Sequence, residues 1–345
     1  MESTTVPYYD STTLSYKHLD ENEQEERALL KEVNTIALVT FSLLFVLGTI
    51  GNGLVISITG FRMKKTVHTV WILNLAIADF IFSFFLLFHV VYIGLDYYWP
   101  FGKVMCKLNY AVVFFNLFAS ICLLTVISID RCIAVWCPVW AQNRRTPRLA
   151  SFVVLGVWIL ALVFFCPDLY FTEMFFDNKA NATACVNTYD NNDEEGRRIL
   201  FGLILFRFIF GFIIPFVIIV VCYGAIVLRL RRDQLSQASK PFKVITAVIV
   251  AFFICWFPYH VFSFLAVEAL REPRLRGVVS VGIFFSYGLA SFNSCLNPIL
   301  YFCMGHNFKE KVRCSLLSAL VNAFTEESNT KTSARSSADV QSHCM

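Results

Sequence analysis

The sequence predicts an all-α membrane protein, a seven-transmembrane helix bundle with a C-terminal amphipathic helix. Three observations predict it. The chain carries more apolar residues than a soluble core needs, those residues gather into seven stretches of bilayer length, and the charges between them segregate by side. Of 345 residues, 57% are hydrophobic and only 16% are charged, and the mean hydropathy is +0.61. That balance leaves too much apolar surface for a water-soluble domain.

A crossing needs about 20 mostly apolar residues. Such stretches lie near 36–60, 68–94, 104–136, 149–170, 199–228, 244–268 and 278–303. An odd number of crossings puts the two chain ends on opposite sides. The net charge of +4 hides the segregation that sets direction. Lys and Arg in short loops near span ends mark the cytosolic side. Segment 1–35 has eight acids (Glu2, Asp10, Asp20, Glu21, Glu23, Glu25, Glu26, Glu32) against Lys17, Arg27 and Lys31. The loops after spans 1, 3 and 5 are basic, with Arg62, Lys64 and Lys65, then Arg144, Arg145 and Arg148, then Arg229, Arg231, Arg232, Lys240 and Lys243. The segment after span 7 adds Lys309, Lys311 and Arg313. The N-terminus is therefore expected outside and the C-terminus in the cytosol.

No apolar stretch precedes residue 36, so the first span is expected to direct insertion itself. The loop after span 4 contains Asn181-Ala182-Thr183, a glycosylation acceptor that is used only on the lumenal side. It agrees with the charge rule. Most of the twelve cysteines lie inside spans, where Cys behaves as a small apolar residue. Cys106, at the outer end of span 3, and Cys185, in the glycosylatable loop, are clearly outside and are expected to form a disulfide there.

Four regions follow. Residues 1–35 form an acidic extracellular segment, 36–304 the bundle, 305–321 an amphipathic helix on the inner leaflet, and 322–345 a cytoplasmic tail rich in Ser and Thr. Cys314 is a candidate for palmitoylation, a plain buried thiol being the alternative. The tail is suited to phosphorylation. No repeat relates the spans, as a transporter would show. There is no Gly-rich phosphate loop, no zinc-type Cys/His spacing and no soluble catalytic domain, so no catalytic residue, organic cofactor or nucleic-acid partner is expected.

An ionisable or strongly polar side chain inside a span is a functional candidate by default. Span 1 has Gly51-Asn52, span 2 "LNLAIADF" with Asp79, and span 3 Asn116, Ser120 and Asp130-Arg131-Cys132. Span 4 has Trp158, span 5 Pro215 and Tyr223, span 6 "CWFPYH" with Trp256 and Pro258, and span 7 "NSCLNPILY" with Asn293, Ser294, Asn297 and Tyr301. In this order they resemble the rhodopsin-like G-protein-coupled receptors, over residues from about 35 to 322.

The resemblance implies a role for each group. Arg131, with Asp130 as its clasp, would be released on activation to contact a heterotrimeric G protein, assisted by Tyr223 and Tyr301. The alternative for Arg131 is snorkelling to headgroups. The family's usual tyrosine is Cys132 here. Asp79, Asn116, Ser120, Asn293, Ser294 and Asn297 match positions where the family holds a sodium ion beneath Trp256. Hard oxygens around one carboxylate suit such a cation, and a hydrated network without an ion is the alternative. Pro215 and Pro258 interrupt their helices, so a bend at Trp256-Pro258 is a candidate hinge for span 6.

Amine receptors of the family carry an aspartate where this chain has Val113, and opsins a lysine where it has Ser291. Arg207 lies eight residues before Pro215, about 12 Å along the helix toward the outside. A buried guanidinium wants a carboxylate, and no acid is obvious in the outer core. It is therefore expected to receive the C-terminal carboxylate of a peptide ligand, pairing with Asp168 or Glu173 being the alternative. Tyr259 is placed beside it; Asn109, His89 and Glu268 are either pocket residues or ordinary structural ones. Segment 168–198 adds seven acids against three bases, a field that attracts a basic protein. Tyr8, Tyr9 and Tyr16 are candidates for sulfation.

"FRMKKTVHTVWILNLAIADF", "DRCIAVWCPVWAQNRR", "KPFKVI" and "LVNA" look like the chemoattractant branch, most of all the chemerin receptors. Formyl peptide receptors share Asp-Arg-Cys but carry an aspartate at the position of Phe114. What the resemblance implies is a plasma-membrane receptor for a peptide or protein chemoattractant such as chemerin. Signalling would run through inhibitory G proteins, then receptor kinases and arrestin at the tail. A formyl-peptide or lipid receptor, or a scavenging receptor with weak coupling, is the alternative.

Overall fold

The computed structural model describes residues 21–177, 182–187, 194–232 and 240–304. Asn181, Cys314, the three tyrosines, the helix expected over 305–321 and the tail lie outside them. The described helices are α1 (Glu21–Ser57), α2 (Val67–Gly94), α3 (Gly102–Trp136), the short α4 (Pro138–Arg144), α5 (Pro147–Phe171), α6 (Glu194–Phe208), α7 (Ile214–Arg232), α8 (Lys240–Ala269) and α9 (Arg276–Met304). A π-turn at Ile58–Arg62 extends α1, and another at Ile209–Ile213 joins α6 to α7. Among the described residues, seven helical segments are long and apolar enough to cross a membrane: Lys31–Arg62, Val67–Gly94, Gly102–Trp136, Pro147–Phe171, Glu194–Arg232, Ile245–Ala269 and Arg276–Phe302. These are spans 1 to 7.

Span 3 is the axis of the bundle. In its most apolar stretch 78% of residues are buried, against 22% in spans 1 and 4. Leu117, Phe118, Ala119, Ile121 and Leu123 are fully enclosed, while Val217, Val220 and Val221 of span 5 look outward. Such an outward apolar surface is what lipid contact requires.

Local chemistry sets where the helices turn. Thr66 caps α2 reciprocally: Thr69 N–H donates to Thr66 Oγ1 at 3.2 Å and Thr66 N–H donates to Thr69 Oγ1 at 2.8 Å. Thr146 caps α5, with Pro147 in the first helical position. The bend expected at Pro215 takes the form of the π-turn before it. Proline crowds the carbonyl four residues back, and the chain answers with a wider turn in which Ile214 N–H donates to Ile209 O. Gly211 sits in that turn facing span 3, where a Cβ would lie 3.3 Å from the Phe118 ring.

At one end of the bundle, β1 (Thr172–Asp177) and β2 (Ala182–Asn187) pair antiparallel with Met174 opposite Cys185. The sequence reading treats this stretch only as an acidic loop. Cys185 is bonded to Cys106, the pair expected from the sequence, so the hairpin is tied to the end of span 3. Glu173 adds ion pairs to Lys103 at 2.7 Å and Lys107 at 2.9 Å. Trp99 N–H donates to Thr183 O at 2.8 Å, and the Trp99 ring covers the disulfide.

Candidate functional site

Three polar clusters lie along the bundle axis. In the hairpin half, Arg207 is 7% exposed and Asp168 2%. The Arg207 guanidinium donates from Nη2 to Asp168 Oδ1 and lies 3.6 Å above the centre of the Phe114 ring. Phe114 packs on Tyr259 with centroids 6.1 Å apart, and Tyr259 meets Trp256 edge-on at 5.8 Å. A contact path therefore runs from the guanidinium to Trp256, two residues before Pro258.

One expectation is corrected here. An acid does reach Arg207 inside the bundle, and it is Asp168. Asp168 is the alternative partner named from the sequence, at the end of the fourth apolar stretch; α5 continues to Phe171 and buries it. Burying a guanidinium without a counter-charge is prohibitive, whereas a hydrogen-bonded pair is tolerated. Glu173, the other candidate, is engaged by the two lysines. Of the remaining pocket candidates, Tyr259 joins the Arg207 cluster. Asn109 is buried near the hairpin end of span 3. His89 packs between Phe41 at 4.8 Å and Tyr287 at 5.0 Å, toward spans 1 and 7. Glu268 is exposed near the end of α8.

The middle cluster gathers the residues that the resemblance assigns to an ion. Ser294 Oγ donates to Asp79 Oδ1 at 2.9 Å and Asn297 Nδ2 to Asp79 Oδ2 at 2.6 Å. Asn116 Nδ2 donates to Ser294 Oγ at 3.2 Å, and Ser120 Oγ to Asn116 Oδ1 at 3.2 Å. Asn52 Nδ2 donates to Ser294 O at 2.9 Å, which draws span 1 in. Asn293 belongs to the same stretch of span 7, and its Oδ1 is buried with no hydrogen-bond partner among the described residues. Hard oxygen donors from spans 2, 3 and 7 surround one carboxylate, a donor set that fits a sodium ion.

At the opposite end lies Asp130-Arg131. Asp130 does not clasp its neighbour. Arg145 takes both of its carboxylate oxygens, Nε donating to Oδ1 at 2.7 Å and Nη2 to Oδ2 at 2.8 Å. Arg131 Nη2 instead donates to His68 Nδ1 at 2.9 Å. Each side chain is engaged by a different element: the Arg145 fork occupies Asp130, and Arg131 turns to His68 on span 2. Tyr223 of span 5 lies beside Thr246 of span 6, and Cys132 beside Cys222. Tyr301 is buried, as is Trp256.

Sequence reasoning missed His68 and Arg145 as partners in this cluster. Arg145 counted only as a loop charge, and His68 was one polar residue in a quoted string. The signal that marks both is a side chain able to pair, close in sequence to a helix cap, at Thr66 and Thr146.

Seven spans, a bonded hairpin over span 3 and polar clusters at three depths define a receptor architecture. Residues 51–301 match the family described as 7 transmembrane receptor (rhodopsin family), and the chain belongs to that family. Chemerin-like receptor 1 of Rattus norvegicus is 42% identical over 309 residues, covering 86% of this chain and 82% of that one. The human chemerin-like receptor 1 is 42% identical over 302 residues, or 84% and 80% of the two chains. N-formyl peptide receptor 3 of Macaca mulatta is 42% identical over 320 residues, or 88% and 91%. The chain is thus a class A G-protein-coupled receptor of the chemoattractant branch. It is a multi-pass plasma-membrane protein that signals and does not catalyse.

Proposed function

We propose that this receptor turns its hairpin end outward and reads a peptide or protein chemoattractant, chemerin or a related peptide, through the ligand's C-terminal carboxylate. The observation that carries the reading is the Arg207 cluster, a buried guanidinium joined by Phe114 and Tyr259 to Trp256. A ligand carboxylate competes with Asp168 for the guanidinium. Asp168 is three residues from the end of α5, about 4.5 Å along the axis, so on displacement it has a short way to water. Exchanging one carboxylate for the other releases span 4 from span 5 and shifts the rings against Trp256. The bend at Pro258 carries that shift to the inner end of span 6. A ligand biases the equilibrium only by its difference in affinity for the two states, and a carboxylate that replaces a built-in one supplies such a difference.

On the cytosolic side Arg131 meets a heterotrimeric G protein of the inhibitory class. Receptor kinases and arrestin then engage the Ser/Thr-rich tail. A sodium ion held by Asp79, Asn116, Ser120, Asn293, Ser294 and Asn297 favours the resting state. The unpartnered Asn293 oxygen supports that assignment.

The test compares a synthetic chemerin C-terminal peptide as free acid and as amide on wild-type and Arg207→Ala receptors at matched surface levels. Inhibition of cyclic AMP and arrestin recruitment are read in parallel. The free acid is expected to be at least about tenfold more potent on the wild type, the scale of one charge-assisted hydrogen-bonded pair, and Arg207→Ala removes the preference. Equal potency of the two forms on the wild type overturns the carboxylate reading. Ligand uptake with no G-protein response of any class makes the chain a scavenger, and a response to formyl peptides alone moves it to that ligand class.

A further inference from the structure

We propose that His68, not Asp130, is the residue that restrains Arg131 in the resting receptor, and that Arg145 sets basal activity by withholding Asp130. The proposal rests on the reading of Arg131 as the G-protein contact. Its geometric basis is the exchange of partners at the cytosolic end.

Both oxygens of Asp130 are occupied by the fork of Arg145 at 2.7 and 2.8 Å. This is the two-pronged arrangement that makes arginine–carboxylate pairs strong and directional. Among the described residues no ion pair joins Asp130 to Arg131. Arg131 points to span 2 and donates to His68 Nδ1 at 2.9 Å. A guanidinium has no acceptor, so the imidazole accepts through a bare Nδ1 and holds its proton on Nε2, as a neutral ring. Arg131 Nε is buried without a partner among the described residues. The restraint is therefore one hydrogen bond from a cation to a neutral ring.

Placement makes this bond a switch. Asp130 and Arg131 are neighbours on one helix, so no rigid movement of that helix alters their spacing. His68 stands in the first turn of α2, whose start is fixed by the Thr66 cap. Arg145 stands at the end of α4, just before the Thr146 cap of α5. Both partners belong to other elements, so a shift of span 3 against spans 2 and 4 breaks or makes these bonds. Transitions between two discrete packings need contacts of that kind. The bonds also oppose each other: while Arg145 keeps Asp130, only His68 holds Arg131. If Arg145 lets go, Asp130 becomes available as a stronger, charged partner.

Ligand-independent nucleotide exchange decides the matter, measured in membranes on a panel of purified G proteins at equal receptor density. Hydrogen–deuterium exchange at the inner ends of spans 3 and 6 is recorded on the same proteins. His68→Ala is expected to raise basal exchange by about ten- to a hundredfold, the range one hydrogen bond to a charged group commands. His68→Asn, whose amide oxygen accepts in the same place, stays near wild type, which a general packing defect does not allow. Arg145→Ala lowers basal exchange, and added to His68→Ala it brings the elevated level back down. Basal exchange and deuterium uptake both unchanged in His68→Ala, or a rise in Arg145→Ala, overturns the proposal. If the wild type activates no G protein while His68→Ala still loosens spans 3 and 6, the receptor–G-protein reading fails and the His68 restraint stands.

Discussion

Arg207 and Asp168 illustrate how a single buried pair ties stability to recognition. Removing either partner leaves the other charged and dehydrated, a loss of about 3–5 kcal/mol for buried pairs, whereas replacing both with apolar residues is often neutral. Arg207→Met and Asp168→Leu are each expected to lower the melting temperature of detergent-solubilised receptor. The double variant recovers most of the loss while abolishing the free-acid preference. Additive losses in that cycle would mean that the two residues do not act as a pair. Arg207 stood out in the sequence because a cation that deep in an apolar helix is costly. Its partner was named only as one of two alternatives, Asp168 or Glu173, because the 39 residues between Arg207 and Asp168 say nothing about which helix faces turn together. The same holds for Asp130: the sequence showed a charge pair, and the structure distributes it over Arg145 and His68.

Elements are joined here by contacts whose tolerance is small. Where span 1 crosses span 2, a Cβ added to Gly48 would stand 2.8 Å from Ser83 Cβ and strike its Oγ. Gly48→Ala must therefore part the two helices, and overpacking of this sort costs about 1–3 kcal/mol. Thermal denaturation of the variant measures that loss. At the hairpin the contacts are ionic. Hydrogen bonds from Lys103 and then Lys107 hold the Glu173 carboxyl below its ordinary value. A carboxyl whose folded value is lowered contributes stability above the unfolded value, about 4.3 for glutamate, and loses it as pH falls through the folded one. Amide protection of residues 172–177 should be full at neutral pH and decline in acid. Glu173→Gln should remove that pH dependence, and the change is modest because water screens an exposed pair. Cys106–Cys185 was legible from sequence, since one cysteine sat at the end of span 3 and the other in the loop after span 4, both on the side that the loop charges mark as outer. The hairpin was not, because six-residue strands within an acidic loop carry too little periodicity to stand out.

At the scale of the whole molecule, spans 1, 2, 3 and 7 share a continuous hydrogen-bond network at the Asp79 cluster. A cation bound there stabilises the folded state by mass action. Sodium chloride, compared with choline chloride at equal ionic strength, is expected to raise the melting temperature of the wild type. It should leave Asp79→Asn unmoved, and an equal rise in both would reduce the effect to screening. Seven crossings, their expected direction and the depth of each polar residue were readable along the chain. A bilayer is a layered solvent, so hydropathy and loop charge act residue by residue without reference to neighbours. Which polar residues meet could not be read that way. Pairing depends on how each helix is rotated about its axis and how far it is shifted along its neighbours, and packing of the complete bundle sets both. The sequence by itself determined the class of receptor and the position of its charged residues. Only the tertiary structure decided that Arg207 rests on Asp168, Asp130 on Arg145 and Arg131 on His68.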